Sequence, residues 1–172
     1  LRAARRFIYI ESPFFTSHAI GSVLEERLGR EDCPDIILVT REKCRGWLEE
    51  STMGSLRDHL LRKLRDKDLY GKLKAYYPRV PFLGESNIDV HAKVLIIDNE
   101  FLRIGSSNLT NRSMGLDTEC DLSIEAKNDG DREVVKDFLS RLLGEHLGHE
   151  PDQVKRSLTS SGSLISTIES LR

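Results

Sequence analysis

The spacing of apolar residues changes period several times along this chain, and each change marks an element. Residues 7–10 and 35–40 are short, nearly continuous apolar runs, the pattern of strands covered on both faces. Between them, residues 17–28 carry helical spacing, with Thr16 or Ser17 as the cap. Residues 51–67 read as a long amphipathic helix with Leu56, Leu60, Leu61 and Leu64 on one side. A strand at 73–77 ends at Pro78. From Val90 the period drops to two. In an extended strand Val90, Ala92, Val94 and Ile96 face one way, and His91 and Lys93 project together the other way. Asn99-Glu100 reads as a tight turn that folds residues 101–104 back alongside. A strand at 122–126, a helix from Asp131 to about His146, and two short helices over 151–171 broken at Ser161-Gly162 complete the order. This alternation predicts an α/β fold, a mixed β-sheet sandwiched between helices. It forms one domain over residues 1–172, with 151–172 as a helical tail and 157–163 as a candidate hinge.

Composition narrows the class. The chain has 172 residues and 38% hydrophobic content, enough for a sizeable core. Its longest apolar runs, such as 94–97, are strand-sized, and no signal-peptide pattern stands at Leu1, so the expected location is the cytoplasm or the membrane periphery. Cys33, Cys44 and Cys120 are odd in number and scattered, which argues for free thiols. The 26 basic and 28 acidic residues lack the basic surplus of a dedicated nucleic-acid binder, so nucleic acid is the less favoured partner. Arg2, Arg5 and Arg6 read as a solvated face. Trp47 and Met53 lie in a connecting stretch, where they face either an acyl chain or the rim of a cleft, or else pack at the start of the following helix. Helix-start packing is the favoured reading.

The hairpin brings Gly105-Ser106-Ser107-Asn108 to the His91/Lys93 end, so an imidazole, an ammonium, a hydroxyl and an amide converge. An imidazole of ordinary pKa near ~6.5 serves as a nucleophile or a proton carrier, and Lys93, Ser106 and Asn108 are hydrogen-bond donors beside it.

The spacing His91, Lys93, Asp98, Gly105, Ser106, Asn108 is similar to the H-x-K-x4-D-x6-G-S-x-N signature of the phospholipase D superfamily, the HKD enzymes. Asn111-Arg112-Ser113-Met114 and the acidic segment after it resemble the same family. So does Ile8-Tyr9-Ile10-Glu11-Ser12-Pro13-Phe14-Phe15, which departs from the family's YIENQYF strand at Ser12 and Pro13. The likeness is to the C-terminal half of a bacterial phospholipase D or cardiolipin synthase-like protein, one of two pseudo-twofold halves.

That resemblance counts His91, Lys93, Asp98 and Glu119 as catalytic, with Glu119 bonded to a ring nitrogen of the histidine and Asp98 in a supporting role at the turn. It implies phosphodiester hydrolysis or phosphatidyl transfer on phospholipids through a phosphohistidine, with Lys93, Ser106 and Asn108 donating to phosphate oxygens and no metal or other cofactor required. Two histidines are needed and this chain carries one H-x-K. His18, His59, His146 and His149 have no such partner and read as surface or capping residues. A second half in the same polypeptide supplies the other, an expectation that also follows from Leu1 standing where a Met would begin a chain. Contact with a membrane surface is allowed. The alternatives are a homodimeric single-signature endonuclease and a noncatalytic scaffold.

Overall fold

The computed structural model describes residues 1–80 and 88–172, and among them six strands form one mixed sheet. Strands β1 (Phe7–Glu11), β2 (Asp35–Val39) and β3 (Leu73–Tyr76) run parallel. Strands β4 (Val94–Ile97), β5 (Phe101–Gly105) and β6 (Asp121–Glu125) continue antiparallel from the other edge of β1. The order across the sheet is β3-β2-β1-β4-β5-β6.

Two apolar layers follow from the two-residue period of the strands. On one face Phe7, Tyr9, Ile37, Val39, Val94, Ile96 and Leu102 pack against helices α4 (Asp129–Leu147), α5 (Pro151–Ser161) and α6 (Leu164–Leu171), through Val135, Leu139, Leu143, Val154, Leu158, Leu164 and Ile168. The 151–172 segment is therefore built into this layer rather than appended to it. On the other face Ile8, Ile10, Ile36, Leu38 and Leu73 meet α1 (His18–Leu28) and α3 (Ser55–Lys67) through Leu24, Leu28, Leu61 and Leu64. The mixed sheet between helical layers is the architecture expected.

Local chemistry sets the boundaries. Ser17 caps α1, its hydroxyl accepting from the Ile20 amide. Asn128 caps α4 through Asp131, and Gly148, in the left-handed conformation, ends it. Helix α4 thus begins at Asp129, two residues earlier than the apolar period suggests, because its first turn is polar and only capping marks it.

Three expectations are corrected. The hairpin turn centres on Asp98-Asn99, both with positive φ, and the Glu100 amide bonds the Ile97 carbonyl at 2.8 Å. Such a turn demands left-handed conformers at both central positions, which Asp and Asn tolerate better than Glu. Regular pairing of β4 starts at Val94, so His91 and Lys93 precede the strand instead of lying within it. The alternation nevertheless persists, since Val90 is buried in the same layer as Val94 and Ile96 while His91 is exposed. Finally, the helix that ends at Lys67 is preceded by a short helix, α2 (Gly46–Glu49), and a π-helical turn (Glu50–Gly54). Regular α-helix therefore starts only at Ser55, and Leu56, in its first turn, is exposed although its spacing matches Leu60 and Leu64.

Candidate active site

His91 and Lys93 meet just before β4. The Lys93 ammonium lies 3.1 Å from His91 Nδ1 and 3.3 Å from Nε2, and donates to the His91 carbonyl at 2.7 Å. Burial lowers the Lys93 pKa and the nearby Arg41 lowers it further, while Glu119 and Asp89 pull the other way; the net value is below that of an ordinary lysine.

The Gly105 amide bonds the Lys93 carbonyl at 3.2 Å, which delivers the Gly105-Ser106-Ser107-Asn108 turn beside this pair. No side chain fits at Gly105: a Cβ would come within 1.9 Å of Asp121 Oδ1 and 2.6 Å of the Cys120 carbonyl oxygen. Asp121 organises the turn, its Oδ1 accepting from the Ser107 amide at 3.3 Å and its Oδ2 from the Ser107 hydroxyl and from Arg103 at 2.7 Å. Burial raises the Asp121 carboxyl pKa, but those hydrogen bonds outweigh it and the net is below the usual range. Sequence reasoning missed Asp121, which reads there as one more strand-start acid.

Ser106 and Glu119 depart from their expected partners. The Ser106 hydroxyl donates to Glu119 Oε2 at 2.5 Å and accepts from the Cys120 amide at 2.9 Å. Glu119 therefore bonds Ser106 and not the His91 ring; its influence reaches the pair through its charge on Lys93. Asn108 Oδ1 is buried with no hydrogen-bond partner among the described residues. The loop beyond it is pinned to the start of α1. The Leu109 carbonyl accepts from the amides of Thr16 and Ser17, each at 2.9 Å, and Asn111 Oδ1 accepts from the His18 amide at 2.9 Å.

Asp98 is not brought to the site. It occupies the turn at the far end of β4, where its carboxylate accepts the amides of Arg5, Arg6 and Phe7 at 2.7, 2.8 and 2.8 Å. It fixes the start of β1, a supporting role, and the catalytic placement gives way to that one.

An ion-pair cluster lies on the other side of His91. Buried Arg41 pairs with Glu49 at 3.3 Å and Asp89 at 3.2 Å, and stacks on the Phe14 ring at 4.7 Å. Arg45 donates to Asp89 Oδ2 at 2.5 Å. His146 is also corrected: it is half-buried rather than a surface group, its Nε2 3.3 Å from Glu11 Oε2, which also accepts the Tyr9 hydroxyl at 2.9 Å. Hydrogen bonding to Glu11 raises the His146 pKa above the ordinary value against the effect of burial. The apolar run of β1 conceals this buried acid.

The convergence of an exposed imidazole, an ammonium, a serine–glutamate pair and an amide at the open end of a hairpin suits binding and transfer at a phosphate centre. Residues 1–142 match the family described as cardiolipin synthase, PLD-like domain. Phospholipase D1 of Schizosaccharomyces pombe (strain 972 / ATCC 24843) is 30% identical over 207 residues, covering 91% of this chain, and the chain spans 15% of that relative's length. The fold is similar to that of Nuc from Salmonella typhimurium, a phospholipase D family member, with TM-score 0.59 at 19% identity over 81% of this chain and 77% of that one. NucT from Helicobacter pylori gives TM-score 0.53 at 18% identity over 82% and 81%. The phosphatidylserine synthase of Haemophilus influenzae Rd KW20 gives 0.57 at 16% identity over 96% of this chain and 42% of that one.

Proposed function

Because this chain belongs to the phospholipase D-like family, an enzyme family of phosphodiester chemistry, we propose that it acts on phospholipid phosphodiesters, by hydrolysis or phosphatidyl transfer through a phosphohistidine. His91 serves as acid and then base, and a second H-x-K half supplies the attacking imidazole. Lys93 and Asn108 hold phosphate oxygens, while Glu119 positions Ser106 beside them. The observation that carries the reading is the contact of Lys93 with His91 at a strand end, opposite the Ser106–Glu119 pair. Substrate binding redirects the Lys93 ammonium from the ring to a phosphate oxygen, which frees the imidazole for proton transfer.

The incomplete edge of the sheet supports a partner half. Strand β6 is exposed along its whole length, with Leu122 76% exposed and Ile124 and Ile104 open beside it. An uncovered edge carrying apolar side chains invites pairing. The same edge borders the site, since Gly105 pairs with Asp121.

Trapping a phosphoenzyme in the protein with both halves present, and mapping it by mass spectrometry, tests the assignment. Phosphate on the partner histidine is expected, and phosphate on His91 reverses the two roles. A homodimeric endonuclease is the second reading, in which a second copy of this chain covers the exposed β6 edge. Plasmid cleavage by a sedimenting dimer of this chain decides for it. A noncatalytic scaffold has nothing to recommend the joint retention of His91, Lys93, Ser106, Asn108 and Glu119.

A further inference from the structure

Trp47, the chain's single tryptophan, is 81% exposed, Leu48 is 60% exposed and Leu56 53%. The expected packing at a helix start does not occur. We propose that this shoulder, α2 with the π-helical turn and the start of α3, is the surface on which the chain sits against an anionic phospholipid bilayer, with Trp47 and Leu48 entering the headgroup layer. The inference rests on the phospholipid reading above.

Charge on the shoulder is sorted by direction. The acids of α2 and the π-helical turn are turned inward: Glu49 Oε2 accepts the Arg45 amide at 2.6 Å and pairs with Arg41, and Glu50 Oε2 accepts the Cys44 amide at 2.5 Å, while the exposed acid at the start of α3, Asp58, is paired with Arg57 at 3.0 Å. The basic side chains exposed beside Trp47 are Lys43 and Arg45, the latter while paired with Asp89. Exposed basic residues flanking an aromatic and a leucine complement an anionic lipid surface and fit poorly with an acid-free protein partner. An indole is the side chain best suited to a boundary that is apolar on one side and wet on the other.

The shoulder is also tied to the site. Arg45 and Arg41 both bind Asp89, two residues before His91, so a bilayer met by Trp47 is held at a fixed position relative to the imidazole. Behind the shoulder a groove of about 510 Å³ runs between α1 and α3, with Phe14, Met53, Leu56, Leu60 and Asn108 among its lining residues. Leu56 belongs to both the shoulder and the groove. A glycerol backbone or the first part of an acyl chain leaving the bilayer there passes along apolar walls to a residue of the phosphate site.

The lone indole makes the test direct. The 172-residue chain is mixed with vesicles of phosphatidylcholine alone or with phosphatidylglycerol, and followed by flotation, by Trp47 emission, and by quenching from lipids brominated along the acyl chain. Flotation with phosphatidylglycerol vesicles, a blue-shifted emission and quenching by bromolipid are expected. The double variant Trp47→Ser/Leu48→Ser should lose flotation by about tenfold or more, as removal of two buried apolar side chains demands, whereas Leu122→Ser should float unchanged. Bromolipid quenching is read on the unmodified chain and so does not depend on how a variant folds. No flotation and an unchanged emission with every vesicle overturns the proposal. So does a blue shift that grows with protein concentration in the absence of lipid, which assigns the shoulder to a second copy. Turnover of a soluble phosphodiester by the two-half protein without vesicle binding removes the docking surface and leaves the chemistry. Vesicle binding without turnover of either substrate removes the chemistry and leaves the docking surface.

Discussion

The two halves of the sheet are built to different rules. In β1 and β2 every residue is buried, the two strands are parallel, and helices cover both faces. In β4, β5 and β6 the pairing is antiparallel and burial falls away strand by strand, until all five residues of β6 are exposed. Parallel strands joined by helical crossovers are covered as a consequence of their connections, whereas a hairpin leaves its far side open. The proposed chemistry sits on the open half. His91, Lys93, Ser106 and Asn108 all belong to segments flanking β4 and β5, where a second body has room to enter, and the covered half serves to hold them still.

Exchanging the functions of the two halves by mutation gives the largest effects. In the protein with both histidines present, His91→Ala removes general acid–base assistance and should lower kcat by roughly 10²–10⁴-fold or more, with unchanged unfolding. A comparable loss of turnover from Ile37→Ala without loss of stability would break the division of labour. On the covered side, Ile8→Ala or Ile37→Ala should cost about 2–5 kcal/mol in denaturant unfolding, because each side chain is fully enclosed. On the open side, Ile124→Ala should stay within about 0.5 kcal/mol when the chain is alone. If Ile124→Ala is as costly as Ile37→Ala, the edge is already covered in the isolated chain.

Asp98→Ala links the two halves, since the turn of the open hairpin caps the first strand of the covered half. Of the three amides that lose their acceptor only that of Phe7 belongs to a buried residue, so the loss should be about 0.5–1.5 kcal/mol by thermal or chemical unfolding. The position of the phosphate site should not change, and phosphate binding read by Lys93 line shifts in NMR should survive.

How much of this was visible in the sequence follows the same division. The covered strands were legible because continuous Ile, Leu and Val runs admit little else, and the signature spacing placed His91, Lys93, Ser106 and Asn108 together. What escaped depends on contacts between distant segments. The partner of Glu119 is Ser106 because the Cys120 amide and carbonyl dock on that serine, a register that pattern alone does not disclose. Asp121 as organiser of the turn, Asn111 as the acceptor for the His18 amide and Glu11 as the buried partner of His146 all pair residues from different elements. Trp47 was misplaced because the connecting stretch that holds it forms a short helix of its own, α2, none of whose residues is buried.

A smaller effect concerns pH. His146 has its folded pKa raised by Glu11, so the stabilisation is fully present below the unfolded value of about 6.5 and fades as pH rises through the folded value. Unfolding midpoints should therefore decline over that range, and Glu11→Gln should flatten the decline. A midpoint that rises with pH there would show that the Glu11–His146 contact is not an ion pair.

The central claim is that the open half of the sheet carries one half of a two-histidine site. Hydrolysis of a chromogenic phosphodiester, measured on the same samples as sedimentation velocity, tests it most directly. The account predicts that the monomeric 172-residue chain is folded and nearly inactive. Turnover should appear only with a second H-x-K half, whether added in trans or met in a dimer, and His91→Ala should abolish it. A monomer that turns over substrate at a constant rate per chain, unaffected by dilution or by the second half, would contradict it.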